Sequence, residues 1–229
     1  MAELIVVLDV DSTREALRMV DLCEGCVWFK VGAQLFTREG PAVVRQLVGM
    51  GRKVMLDLKF HDIPNTASAA VRAAADLGAS LATIHAAGGR RMIAAARSAA
   101  EGTALRLLAV TVLTSMTAEE LRDEVGLREA PADAVTRLAR QSVLAGAHGI
   151  VCSPREASMV RQAVGPEALV VTPGVRPVWA ETGDQRRVMT PREAVQSGAS
   201  MIVVGRPILE HPNPAEAVRL IQEEMNGAA

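Results

Sequence analysis

A closed (β/α)₈ TIM barrel of the α/β class is what this sequence predicts, from three observations. Eight short, near-continuous apolar runs recur along the 229 residues. Each is followed by an amphipathic, helix-like stretch, and the first three end in charged residues. Apolar strands alternating with helices mark parallel strands covered on both faces.

The runs are LIVVLDV from Leu4, CVWFKVG from Cys26, KVMLDLK from Lys53 and SLATIHA from Ser80. LRLLAVTVL from Leu105, GIVCS from Gly149, ALVVTPG from Ala168 and SMIVVGR from Ser200 complete the eight. Helix signals fill the intervals. Asp11-Ser12-Thr13-Arg14-Glu15 offers an N-cap followed by a glutamate in the first turn. Asn65-Thr66 is expected to open the alanine-rich segment that stops at Gly78. Pro154, Pro191 and Pro214 stand where first helical turns begin, a position that tolerates proline.

An open doubly wound sheet is the structural alternative, but eight units in one chain of this length favour closure. With no linker or low-complexity tract, residues 1–229 read as one catalytic barrel domain. The longest irregular stretch, from Gly174 to Thr190, is expected to be functional, as a lid.

Composition narrows the function classes. Lys and Arg number 25 against 26 Asp and Glu, which removes the usual electrostatic case for a nucleic-acid partner. No apolar run reaches the roughly 20 residues of a membrane helix. The N-terminus lacks the basic start and cleavage site of an export signal, so a cytoplasmic address is expected by elimination. Cys23 and Cys26 have CxxC spacing, but a second ligand pair for zinc is missing. A redox pair would open a helix, whereas this one closes a helix and starts a strand. With Cys152 they are expected to be buried, inert thiols. No metal is expected, and no dinucleotide fingerprint or nucleophile elbow is present.

Barrel chemistry is built at the C-terminal ends of the strands. The first run ends in Asp9, the second in Lys30, and the third in Asp57 and Lys59. Alternation puts Asp57 and Lys59 on one face, above Met55, with Leu58 turned toward the helices. Asp62 follows just beyond the strand. Two lysines against Asp57 and Asp62 form a balanced array, which is what burial of charge requires. The DxKxxD spacing alone leaves a structural salt-bridge network open beside a functional site.

The exits of the last two runs carry a second signal. Gly205-Arg206 follows the eighth, and Thr172-Pro173-Gly174-Val175-Arg176 closes the seventh. Barrels bind phosphate at this place, where a glycine admits backbone N–H groups and an arginine adds a bidentate cation. His61, beside the charged cluster, reads as a loop histidine making local hydrogen bonds, His85 as a supporting residue, and His148 and His211 as peripheral.

DLKFHDIPNT at 57–66, VTPGVRP at 171–177 and IVVGRPI at 202–208 together resemble the bacterial orotidine 5′-monophosphate decarboxylases. The likeness runs in order from Asp9 to the last helix, and the DIPNT extension is its most specific part. The resemblance implies a decarboxylase of pyrimidine nucleotide synthesis that uses no cofactor and works as a homodimer with shared active sites. It implies that Lys59 is the proton donor, that Asp57 sits against the substrate carboxylate, and that Asp9 and Lys30 hold the ribose. It further implies that Asp62 and Thr66 enter the partner's site, that Thr114 contacts the pyrimidine, and that Pro173 lines the base pocket. Arg176, Gln185, Gly205 and Arg206 would bind the phosphate, with Arg176 and Gln185 on the closing loop. DxKxxD is also shared with metal-dependent sugar-phosphate decarboxylases of the same barrel superfamily. A non-catalytic phosphate sensor would keep Arg206 but need no ammonium at Lys59.

Overall fold

The structure is a computed structural model, and it describes residues 2–180 and 189–227. The first half of the chain runs β1 (Glu3–Val7), α1 (Thr13–Leu22), β2 (Trp28–Gly32), α2 (Ala33–Glu39), α3 (Ala42–Gly49), β3 (Lys53–Phe60) and α4 (Pro64–Asp76). Then come β4 (Leu81–His85), α5 (Gly89–Ala100), β5 (Arg106–Val110), α6 (Ala118–Asp123), α7 (Pro131–Leu144) and β6 (Gly149–Val151). The order ends with α8 (Ala157–Val164), β7 (Leu169–Pro173), α9 (Pro191–Gln196), β8 (Met201–Val204), α10 (Arg206–Leu209) and α11 (Pro214–Asn226). Each strand coincides with one of the eight apolar runs, with β1 and β3 each reaching one residue beyond it. All pair in parallel in sequence order, and β8 returns to β1 through Leu4↔Ile202 and Val6↔Val204. The expected (β/α)₈ barrel is the observed fold.

Alternation divides every strand between two cores. Ile5 and Val7 of β1, Met55 of β3, Leu108 and Val110 of β5, and Met201 and Val203 of β8 fill the barrel interior. Their neighbours Leu4, Val6, Leu56, Leu107, Ile202 and Val204 pack outward against the helices. Both faces of each strand are therefore buried, which is why the runs are apolar throughout rather than every second residue.

The end of the barrel at which the strands begin is sealed. Trp28 fills it at 9% exposure. Its Nε1 donates to Glu3 Oε1 at 2.9 Å, and Lys53 Nζ stands 5.0 Å from the ring centroid. Arg161 of α8 donates to the carbonyls of Ala168 and Gly198, at 2.6 and 3.2 Å, and to Ser200 Oγ at 2.7 Å. One guanidinium thus ties together the segments that lead into β7 and β8. His148 is also structural, since its Nδ1 accepts the Leu107 N–H at 2.9 Å.

Local signals hold with one correction. Ser12 caps α1 by accepting the Glu15 N–H at 3.3 Å, and Gly78 follows α4 with φ +81°. Helix α4, however, opens at Pro64 with Ile63 as the capping position, not at Asn65-Thr66. Proline's fixed φ suits the first turn, where its missing N–H costs nothing. Cys23 and Cys26 are buried free thiols at the α1–β2 junction. Burial pushes Cys23 up to about 12 and Cys26 to about 11, so neither is a thiolate near neutrality.

The ends of the irregular stretch are held together. Val175 bridges Met189, Arg176 N–H donates to Met189 O at 2.9 Å, and Thr190 caps α9 in a reciprocal capping box with Glu193. Its middle, including Gln185, lies outside the described residues. No helix among the described residues is long and apolar enough to cross a membrane.

Candidate active site

Above the interior core, at the end where the strands finish, lies a cavity of about 640 Å³. That is within the usual range for a small-ligand site. Its walls include Asp9, Lys30, Asp57, Lys59, Thr114, Pro173, Arg176, Gly205 and Arg206. Nine residues singled out in the sequence therefore converge on one space from six strand exits.

The charged group is built on β1, β2 and β3. Register places Gly32 beside Asp57 and Lys30 beside Met55, so Lys30 stands one interior position above Trp28, and Asp57 one above Met55. Lys30 Nζ lies 3.2 Å from Asp9 Oδ1 and 3.5 Å from Asp57 Oδ2. Lys59 Nζ lies 2.9 Å from Asp57 Oδ1. The Asp57 side chain is 13% exposed and Lys30 11%, whereas Lys59 is 40% exposed and faces the cavity. Burial alone would raise the Asp57 carboxyl. The Lys30 and Lys59 ammoniums, with hydrogen bonds from Lys59 and Thr83, outweigh it and hold the group below the usual carboxylate range. Asp57 is thus an anion clamped between two cations.

One expectation about this array is changed by the geometry. Within the chain, the second negative charge is Asp9 rather than Asp62. Asp62 is exposed in the turn after β3, its Oδ1 accepting the N–H of Ile63 at 2.7 Å. Thr66 is likewise exposed on α4, and neither lines the cavity. Two residues that the spacing gave no reason to single out also belong to the site. A Cβ on Gly32 would come within 2.7 Å of Lys30 Nζ and 3.1 Å of Asp9 Oδ1, so the missing side chain is the space the ion pair occupies. Thr83 of β4 donates to Asp57 Oδ1 at 2.9 Å.

His61 and His85 stack with ring centroids 5.1 Å apart. Burial, then the nearby His61 and Lys59, hold the His85 imidazole below its ordinary value. A neutral ring beside Lys59 adds no competing positive charge. His211, by contrast, meets Trp179 edge-on, 5.2 Å between ring centroids.

Across the mouth, Pro173 and Arg176 come from the exit of β7, and Gly205 and Arg206 from that of β8. Arg176 is buried at 7% exposure. A pair of arginines at this rim suits a phosphate or other compact dianion. The cavity is therefore bipolar around its circumference. One side holds alternating fixed charges, and the other carries two arginines, Arg176 and Arg206, with Glu210 beside them.

Comparison with known proteins is consistent with this geometry. Residues 2–221 match the model of the orotidine 5′-phosphate decarboxylase / HUMPS family. Among similar proteins, the orotidine 5′-phosphate decarboxylase of Anaeromyxobacter dehalogenans is 59% identical over 192 residues, 84% of each chain. That of Heliobacterium modesticaldum is 48% identical, covering 97% of this chain and 95% of its own. A crystal structure of orotidine 5′-phosphate decarboxylase from Lactobacillus acidophilus superposes with a TM-score of 0.88 at 37% identity, covering 99% of this chain and 100% of that one. On sequence and fold alike, the chain belongs to the orotidine 5′-phosphate decarboxylase / HUMPS family.

Proposed function

We propose that this chain is a carboxy-lyase that converts orotidine 5′-monophosphate to uridine 5′-monophosphate and CO₂, without metal or cofactor. The observation that carries the reading is Lys59, an ammonium fixed on Asp57 and facing a cavity whose far rim bears two arginines.

The chemistry explains why such an arrangement is needed. Breaking the C6–carboxylate bond leaves its electron pair at C6, in the plane of the pyrimidine ring, where no adjacent π-system delocalises it. Stabilisation must then come from charge already in place. Lys59 lies beside C6 in this reading. Its positive charge lowers the energy of the carbanion, and one N–H proton then passes to C6 to give the product. The neutral amine regains its proton from water. Asp57, ionised and adjacent, holds the Lys59 ammonium in place beforehand and sets a like charge against the substrate carboxylate, which CO₂ loss relieves. Lys30 balances Asp57, and with Asp9 it holds the ribose hydroxyls.

Remote groups supply binding. Arg176, Gln185, Gly205 and Arg206 hold the phosphate, and Thr114 and Pro173 border the base. Interaction with the phosphate, far from C6, contributes to holding the reacting end in place. The exposed positions of Asp62, Ile63 and Thr66 support a homodimer in which Asp62 and Thr66 of each subunit complete the neighbouring site. Ile63 is 67% exposed on this chain, an apolar side chain with little intramolecular cover.

The test is the fall in ultraviolet absorbance as orotidine 5′-monophosphate is consumed, in the presence of EDTA. Wild-type turnover should persist, and Lys59→Ala should lose at least about 10⁴-fold in kcat while still binding uridine 5′-monophosphate. Turnover retained in that variant would remove the proton-donor role. Mixing inactive Lys59→Ala and Asp62→Ala proteins should restore part of the activity through heterodimers carrying one intact site. Absence of complementation would sink the shared-site assignment.

A further inference from the structure

The reaction read above uses Asp57 and Lys59, and both depend on a residue that does not line the cavity. Thr83 lies in the middle of β4 and is completely buried. Its Oγ1 is 2.9 Å from the backbone nitrogen of Lys59 and 2.9 Å from Asp57 Oδ1. A backbone N–H can only donate, and an ionised carboxylate can only accept. The hydroxyl lone pair therefore faces Lys59 N–H, and its hydrogen points at Asp57. One oxygen grips the acid by its side chain and the lysine by its main chain.

The backbone at this point needs such a grip. Among the described residues, Lys59 is the one non-glycine residue with positive φ, at +49°. A side chain in that region is disfavoured by its own Cβ and persists where surrounding contacts fix it. The strand pairing breaks at the same place. Leu56 pairs with Ala82, and the next pair is Phe60 with Ile84, so β3 advances four residues while β4 advances two. In that gap, the Lys59 N–H donates to the Thr83 side chain. The β-branched threonine also has few χ1 alternatives, so the hydroxyl direction is set by the strand.

We infer that Thr83 is a positioning residue of this active site, whose hydroxyl holds the Lys59 backbone in its left-handed conformation and orients the Asp57 carboxylate. The ammonium is thereby aimed at one point of the cavity. The inference rests on the reading of Lys59 as proton donor and of Asp57 as its ionised partner. The groups around Asp57 are Lys30 on β2, Lys59 on β3 and Thr83 on β4, with Asp9 beyond Lys30 and His85 beyond Lys59.

The experiment compares Thr83→Val, Thr83→Ser and Thr83→Cys with the wild type in steady-state decarboxylation over a range of pH. Thr83→Val keeps the shape and removes the hydroxyl. Its kcat should fall by about 10²-fold, the scale of a displaced reacting group, with KM changed less than about threefold because the phosphate contacts are untouched. Loss of a hydrogen bond to the ionised carboxylate raises the Asp57 pKa, so the acid limb of kcat/KM should move to higher pH. Thr83→Ser, which keeps the hydroxyl, should return kcat and the acid limb close to wild type. If Thr83→Val does not fold, the Ser and Cys variants carry the test. Both lack the methyl group, and only serine offers a strong donor and acceptor, so cysteine should be at least about tenfold slower. Wild-type kcat and pH profile in Thr83→Val, or equal activity of Ser and Cys, overturns the inference. Lys59→Ala separates the two readings: if it is inactive while Thr83→Val is fully active, only the role of Thr83 fails.

Discussion

The two ends of the barrel use the same strands for opposite purposes. Strand β3 shows it in a single line of alternating residues. Lys53 lies against Trp28 where the strand begins, Met55 fills the middle, and Asp57 and Lys59 reach the cavity where it finishes. At the beginning, Trp28 is satisfied by Glu3, and Arg161 by the chain around it, near neighbours of fixed geometry. At the finish, like and unlike charges are held close around an open space, and one residue sits in a disfavoured backbone conformation. The first end contributes stability, and the second expends part of it on a preorganised site.

That division can be broken from either side. The largest effect on folding is expected from Trp28→Ala, which empties the closed end and removes the partner of Glu3. Such a truncation costs about 3–5 kcal/mol. Denaturant unfolding should show the loss, while the protein that remains folded keeps its kcat. A comparable fall in kcat would mean that the two ends are coupled. Arg206→Ala should do the reverse. Loss of a charge-assisted contact to phosphate lowers kcat/KM by about 10²-fold, with a thermal midpoint within about 2 °C of wild type. The smallest effect concerns the thiols. Cys23 and Cys26, buried and shifted far above neutrality, should resist alkylation at pH 8 until the protein is unfolded, with no change in activity. Rapid labelling of the native protein would show that the α1–β2 junction opens readily.

The strands and their exits were legible in the sequence, and the contacts made between strands were not. Strand identity was readable because burial on both faces leaves an apolar run, and a period of two then assigns Met55, Asp57 and Lys59 to one face and Leu58 to the other. The rim positions of Arg176 and Arg206 followed from the architecture, since every strand must exit at the same end. Thr83 was not visible. Threonine is an ordinary strand former, and its role arises from a pairing break between β3 and β4 that no local pattern announces. Gly32 was hidden for a related reason, because its importance lies in which side chains of other strands pass close by. Asp62 was read as part of the array from spacing alone. The turn after β3 carries it outward, and Asp9 takes that place within the chain. The start of α4 was misjudged by giving weight to a polar cap where Pro64 had already fixed the first turn.

Gly32 also bears on how easily the site can be lost to mutation. A change to alanine takes one base substitution in any glycine codon, adds a single methyl group and alters neither charge nor core. The atom it would crowd is the tip of a flexible lysine, which can move aside at little cost to the fold. Displacing that tip would part Lys30 from Asp9 and unbalance Asp57. The barrel would remain folded and expressed while its chemistry failed. For inheritance, one exposed point of this active site is therefore a residue with no side chain at all.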